Sequence, residues 1–167
     1  LSTGEYSFSF LQTPMVHWPE SMVTYLPAKK FLFSNDAFGQ HFASEERFED
    51  EIGIERVLER AKDYYANIVL PLGAQVNKVL AEVSKLDISL IAPSHGAIWR
   101  RDINTIVSKY TDWANNKTED DEGVIVYDTM WGATEILAQR IKDELKEKGI
   151  SAKMFNLKEH HISAVMN

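Results

Sequence analysis

Three side chains able to bind a metal stand in comparable places along this sequence. His17 lies in Thr13-Pro-Met-Val-His-Trp-Pro-Glu-Ser-Met22, between two prolines that stiffen its loop. Asp36 follows the apolar run Phe31-Leu-Phe-Ser34 and precedes Ala-Phe-Gly39. His95 follows Ile88-Ser-Leu-Ile-Ala92 and Pro93-Ser, and precedes Gly96. An apolar run that gives way to a polar residue and then glycine reads as a strand end opening into a tight turn. Strand ends gathered on one edge of a sheet sandwich would bring the three together. Two imidazoles and a carboxylate suit iron, zinc or manganese. The carboxylate has two oxygens and can span two metals, so the set fits half of a dinuclear site. Each residue also has an ordinary reading: a histidine in a proline-rich turn, an aspartate capping a turn, a hydrogen-bonded loop histidine. Metal sites need at least three or four ligands, and these are three.

A second set of residues lies near the C-terminal end. Val124-Ile-Val-Tyr127 reads as an apolar strand, and Thr134 to Lys148 as a helix with Leu137, Ala138, Ile141 and Leu145 inward. Gly149 is placed to stop that helix. The loop between them holds Thr129, Met130, Trp131, Gly132, Ala133 and Thr134. Backbone N–H groups at such a junction point outward, and the helix dipole favours an anion there. The Thr129 and Thr134 hydroxyls could donate to phosphate oxygens, with Gly132 allowing close backbone approach. The alternative is a plain connection in which Thr134 caps the helix, and Trp131 is a surface or packing aromatic.

The elements that must position these residues follow from periodicity. Tyr6 to Leu11, Met22 to Leu26, Phe31 to Ser34 and Ile88 to Ala92 read as strands. Ile54, Val57, Leu58, Ala61, Tyr65, Ile68 and Val69 form one helix face, broken at Pro71. Val76, Val79, Leu80, Val83 and Leu86 form another, and Asp102 suits the N-cap of a third helix over 103–114. Tyr64 and Tyr65 are adjacent, and the stripe puts Tyr65 inward. It is either a core tyrosine or a hydroxyl beside the metals, and so a low-ranking catalytic candidate. His41 is close to Asp36 in sequence and reads as a residue at the site edge rather than a ligand. Glu20 and Ser21 shape the turn after His17.

Asn115-Asn-Lys-Thr-Glu-Asp-Asp-Glu-Gly123 has no apolar residue, which marks a solvated linker between a first domain, 1–114, and a second, 124–167. Strand, loop, helix and the strand Ile150 to Phe155 then make one βαβ unit. There are 18 basic and 25 acidic residues, a net charge of −7. That balance disfavours general nucleic-acid binding. Absence of cysteine removes disulfides, thiol nucleophiles and thiolate metal sites, and fits a reducing, cytoplasmic compartment. No apolar run reaches the roughly 20 residues of a membrane helix.

Together these segments resemble flavodiiron proteins, also called A-type flavoproteins. The resemblance rests on Thr13 to Met22, Phe33-Ser-Asn-Asp-Ala-Phe-Gly39, Ala92-Pro-Ser-His-Gly-Ala-Ile-Trp99 and Val124-Ile-Val-Tyr-Asp-Thr-Met-Trp-Gly-Ala-Thr-Glu135. It covers essentially the whole chain, in the family's order. It implies an α/β fold: the C-terminal part of a metallo-β-lactamase-like αββα sandwich, then the first βαβ unit of a flavodoxin-like doubly wound domain. It implies that His17 binds one iron, that His95 binds the other and that Asp36 bridges them. Thr129 through Thr134 would hold the FMN phosphate, although Trp131 stands where flavodoxins often carry a third hydroxyl. The implied activity is reduction of dioxygen to water or nitric oxide to nitrous oxide. Electrons would come through FMN from rubredoxin, a reduced deazaflavin or a nicotinamide-linked reductase, in a head-to-tail homodimer.

The family's further ligand cluster, His-x-Glu-x-Asp-His, which precedes the His17 segment, does not occur here. The five histidines are His17, His41, His95, His160 and His161, the last two read as exposed. The chain starts at Leu1, and one βαβ unit is short of a doubly wound domain. Leu1 and Asn167 therefore read as cut points of a longer enzyme, and the isolated peptide is expected to hold no stable metal and to be inactive. Two other functions stay open: a dinuclear zinc hydrolase on the same sandwich, and a non-catalytic flavin-binding module.

Overall fold

Alternation of side chains along four short strands builds the first sheet. These are β1 (Ser9–Gln12), β2 (Met22–Leu26), β3 (Phe31–Asn35) and β4 (Leu90–Pro93), in the order β1-β2-β3-β4. The first two pairings are antiparallel, while β3 and β4 run parallel, with Leu32 opposite Ile91. Parallel neighbours need a long crossover, and the helices between residues 54 and 83 supply it. Val23, Leu32 and Ile91 face the helices and are buried, whereas Phe10, Met22 and Phe33 lie on the other face and stay exposed. The first strand starts later than its alternation predicts, because residues 2–7 fold back in a Ser2–Ser7 bridge. Pro93 ends β4 inside the ladder of an edge strand, where a missing N–H is tolerated.

A computed structural model describes residues 1–117, 122–160 and 165, which fall into two compact units, Leu1–Lys117 and Thr118–Asn167. In the first unit the sheet carries α1 (Glu49–Ile52), α2 (Ile54–Tyr64), α3 (Gly73–Val83) and α4 (Ile103–Ala114). Between α2 and α3 the chain widens into a π-helical turn, Tyr65–Val69, and tightens into a 3₁₀ turn, Leu70–Leu72, around Pro71. The core is one cluster of sheet and helix side chains that includes Leu32, Val57, Ile91, Trp99, Ile106 and Tyr110.

Two expectations change here. Both Tyr64 and Tyr65 are buried, not Tyr65 alone. The end of α2 is covered on two sides, so residues about 100° apart on the helix each find a packed surface. Asp102 occupies the N-cap position of α4, but its side chain makes no cap bond. Instead the buried carboxylate of Glu49 accepts the N–H groups of Arg100, Arg101 and Asp102. Those three donors immediately precede the helix.

The second unit contains β5 (Glu122–Tyr127), α5 (Ala133–Glu147) and β6 (Ser151–Asn156), with β5 and β6 parallel. Strand β5 begins at Glu122, inside the stretch expected to be linker. Glu122 pairs with Ser151 and forms an ion pair with Lys153 at 2.7 Å, which extends the ladder past the apolar run. Residues 118–121 of the expected linker lie outside the described residues, as does His161. His160 is exposed.

Helix α5 ends as expected, with the Gly149 N–H on the Lys146 carbonyl and the Ile150 N–H on the Leu145 carbonyl. Its inward stripe is narrower than its sequence suggests. Ala138 is buried, but Leu137 and Ile141 are 64% and 52% exposed. Two strands cover only one stripe of a helix, and the described residues supply no third. Among the described residues no helix is long and apolar enough to cross a membrane.

Candidate functional sites

The loops after β1, β3 and β4 bring His17, Asp36 and His95 together. One carboxylate oxygen of Asp36, Oδ2, lies 3.3 Å from His17 Nε2, and the other, Oδ1, lies 3.4 Å from His95 Nε2. All three side chains are partly screened from solvent, at 20% exposure for Asp36, 24% for His17 and 34% for His95.

Local hydrogen bonds set each of these three side chains. The His17 turn is closed by the Ser21 hydroxyl, which accepts the Trp18 N–H at 3.1 Å, and by the Thr13 N–H on the Ser21 carbonyl. The Asp36 turn is closed by the Gly39 N–H on the Asp36 carbonyl and by the Ser34 hydroxyl on the Ala37 carbonyl. The His95 loop continues the β3–β4 pairing, with the Ser94 N–H on the Asn35 carbonyl at 2.7 Å.

This geometry fits a pair of metals in part. Two donors about 2.1 Å from one metal are about 3.4 Å apart at the tetrahedral angle and about 3.0 Å apart at a right angle. Each His–Asp edge therefore matches two donors on one metal, and the two edges share Asp36. The His95 Nδ1 is buried and without a hydrogen-bond partner, so this imidazole has no interaction besides the one that its Nε2 makes with Asp36 and its ring contacts. Among the described residues no group of three or more His, Cys, Asp or Glu side chains could hold one metal ion. Among the described residues each His–Asp edge offers one imidazole nitrogen and one carboxylate oxygen, fewer donors than a metal ion needs.

Tyr64, not Tyr65, lies beside these ligands. The Tyr64 ring is 5.2 Å from that of His95, and the exposed His41 ring is 4.6 Å from His95 and 4.8 Å from Tyr64. Tyr65 packs instead on Tyr110 and Trp113. Both tyrosine hydroxyls are buried without a partner. Burial drives the Tyr64 hydroxyl far above its ordinary pKa, and the negative charge of Asp36 adds to the shift. Burial alone pushes Tyr65 up to about 12. Tyr64 therefore lies beside His95 and Asp36 as a neutral phenol with an unused donor.

The profile of the family described as ODP family beta lactamase matches residues 1–96, and that of the flavodoxin family matches residues 125–167. The chain belongs to the flavodiiron protein family.

The flavodiiron protein of Giardia intestinalis superposes with a TM-score of 0.93 at 33% identity, covering 99% of this chain and 41% of that one. The rubredoxin oxygen:oxidoreductase of Desulfovibrio gigas gives 0.94 at 36% identity, with 99% and 42% covered. A nitric oxide reductase of Moorella thermoacetica is 42% identical over 159 residues, 94% of this chain and 40% of the relative. The chain thus spans between 30% and 42% of the length of such curated relatives.

In this flavodiiron chain the loop before α5 turns into the helix at Gly132. Gly132 adopts φ +83°, a left-handed conformation that glycine takes without strain, and a side chain there would meet nothing within 4 Å. Its N–H donates to the Thr129 hydroxyl at 2.9 Å, which leaves the hydroxyl proton free to donate outward. Thr134 is inside the first turn of α5, and Gly132 rather than Thr134 holds the N-cap position. Met130 and Trp131 are 75% and 90% exposed, so Trp131 is no packing residue of this unit among the described residues.

Gln40, Glu49 and Tyr64 were not singled out by their sequence context. Glu49 sits in the charged run Glu45 to Glu51, which reads as a solvated face. Gln40 carries no spacing signal at all.

Proposed function

We propose that this chain is part of a flavodiiron oxidoreductase that reduces dioxygen to water or nitric oxide to nitrous oxide. The observation that carries the reading is the Asp36 carboxylate, divided between His17 on one oxygen and His95 on the other. His17 and His95 would each hold one iron of a pair, and Asp36 would span the two. The irons supply Lewis-acid and one-electron chemistry when bound, and FMN supplies the electrons. Thr129, Gly132 and the N–H groups opening α5 would hold the FMN phosphate, with Met130, Trp131, Ala133 and Thr134 completing the loop. Trp131 would stand as a wall beside the phosphate or the flavin edge.

Tyr64 takes the part first given to Tyr65. Its neutral hydroxyl, held in place by packing rather than by a hydrogen bond, can donate to an oxygen or nitrogen of a ligand between the two histidines. The His41 and Tyr64 rings shield one side of His95 from water. A rubredoxin-like protein, a reduced deazaflavin or a nicotinamide-linked reductase would supply electrons, and a head-to-tail homodimer would bring the FMN of one subunit to the metal pair of another.

The test is the content of iron, zinc and FMN per subunit in the natively purified, natural-length protein. Two irons and one FMN are expected. Two zincs without flavin would replace this reading with a hydrolase, and neither metal nor flavin would overturn it.

A further inference from the structure

Gln40 is fully buried and has no part in the metal-ligand set, yet every polar group of its side chain is used. Its Oε1 accepts the Ala97 N–H at 2.6 Å, and its Nε2 donates to the Phe38 carbonyl at 2.6 Å. Its own backbone N–H donates to the carbonyl of His95 at 3.3 Å. A donor facing one side of the amide and an acceptor facing the other fix its orientation without ambiguity.

These bonds join two loops. Gln40 follows Asp36 by four residues, and Ala97 follows His95 by two. The Asn35 carbonyl holds the His95 loop on the near side, through the Ser94 N–H, and Gln40 holds it on the far side. His95 is thereby bracketed by two ties to the same loop that carries Asp36. The Phe38 carbonyl is itself anchored, since it also accepts the indole N–H of the buried Trp99 at 2.9 Å. The Phe38 N–H donates to the Tyr110 hydroxyl at 2.9 Å.

Gly96 belongs to the same device. It lies directly against Gln40 with φ +83°, and a Cβ there would press into Gln40 Oε1 and come within 2.6 Å of the Gln40 carbonyl oxygen. The residue after His95 is therefore bare so that the amide can reach past it to Ala97.

We propose that Gln40 is the positioning residue for His95, fixing the distance of its imidazole from the Asp36 carboxylate. The proposal rests on the reading of His17, Asp36 and His95 as metal ligands. Gln40 touches neither metal nor substrate in that reading. Its effect falls on one metal of the two, because His17 is held by the separate turn that Thr13 and Ser21 close.

The test uses the natural-length protein with Gln40→Met, which keeps length and removes both side-chain hydrogen bonds. Gln40→Asn serves as a second variant that keeps a neutral amide but is one methylene too short to reach both Ala97 and Phe38. In Gln40→Met one iron of the pair is expected to bind about 10-fold more weakly, the low end of what lost outer-shell partners cost. FMN content should stay unchanged, and the Mössbauer signature of one iron alone should shift. Gln40→Asn should show the same one-iron effect in smaller measure, and it decides the matter if Gln40→Met does not fold.

Two irons of wild-type affinity and signature in a folded variant would overturn the role of Gln40 and leave the proposed function standing. Equal loss of both irons would reduce Gln40 to a general structural residue and overturn the proposal. A wild-type protein without iron would overturn the function and the proposal together.

Discussion

Glu49 accepts the backbone N–H of Arg100 with both carboxylate oxygens, at 2.9 and 3.0 Å, from a position with no solvent exposure. The same Oε1 takes the N–H groups of Arg101 and Asp102 at 2.5 and 2.9 Å. One side chain thus satisfies three successive donors that no helix or strand serves. A helix N-terminus needs such acceptors, and a negative charge there also suits the dipole.

Removing that carboxylate leaves three part-buried donors without their acceptor, at up to about 1–3 kcal/mol each. Glu49→Leu is therefore expected to lower unfolding free energy by several kcal/mol, on the order of 3 or more, and to loosen the start of α4. Glu49→Gln keeps one acceptor oxygen and should cost about 1–2 kcal/mol. Urea denaturation of both variants checks the order. Equal stability of Glu49→Leu and the wild type would show that the three N–H groups find other partners.

Tyr64 and Tyr65 make a contrasting pair. Both hydroxyls are buried and unpaired, so replacing either with phenylalanine removes an unsatisfied polar group. Stability of Tyr64→Phe and Tyr65→Phe is expected to hold or to rise by up to about 1 kcal/mol. Only Tyr64 faces His95, so only Tyr64→Phe should slow turnover of the loaded, natural-length enzyme. Thermal melts and steady-state rates on both variants test this. A slower Tyr65→Phe with an unaffected Tyr64→Phe would return the role to Tyr65.

Acid stability should depend on Asp50. Its carboxylate receives Arg100 through Nε at 2.8 Å and Nη2 at 3.1 Å, and the Arg101 Nε also lies 3.1 Å away. The hydrogen bond from Arg100 is the main reason its pKa lies below the ordinary carboxylate value, with the charges of Arg100 and Arg101 adding to it. A depressed folded pKa means a contribution fully present above the unfolded value, about 3.9, and lost as pH falls through the folded one. Wild-type stability should therefore fall more steeply below about pH 4 than that of Asp50→Asn. Urea titrations between neutral pH and pH 3 compare the slopes, and equal slopes would remove Asp50 from the acid response.

The strands that carry Asp36 and His95 were legible because an apolar run followed by a polar residue and glycine has one simple physical meaning, a strand end. The span of α4 was legible from the spacing of Ile103, Ile106, Val107 and Tyr110. Its cap was not, since Glu49 lies 53 residues before Asp102 and reaches it only through the fold. Tyr64 was misplaced for a related reason. Periodicity assigns each helix a single buried face, and the turn from α2 into the π-helical segment is packed on two. Gln40 was invisible because its partners, the carbonyls of Phe38 and His95 and the N–H of Ala97, are backbone groups without a sequence signature.

Asp36 is the one side chain shared by both His–Asp edges, which gives it a different expected phenotype from either histidine. Asp36→Ala should remove the link between the two metal positions and leave each histidine without its carboxylate partner. Both irons are then expected to be lost from the natural-length protein, whereas His95→Ala should weaken one. FMN content should be unchanged in both variants, because the loop proposed to hold its phosphate belongs to the unit that begins beyond Lys117. Iron and FMN are measured per subunit after native purification. Full iron content and wild-type turnover in Asp36→Ala would sink the bridging role, because Asp36 is the carboxylate whose two oxygens meet His17 and His95.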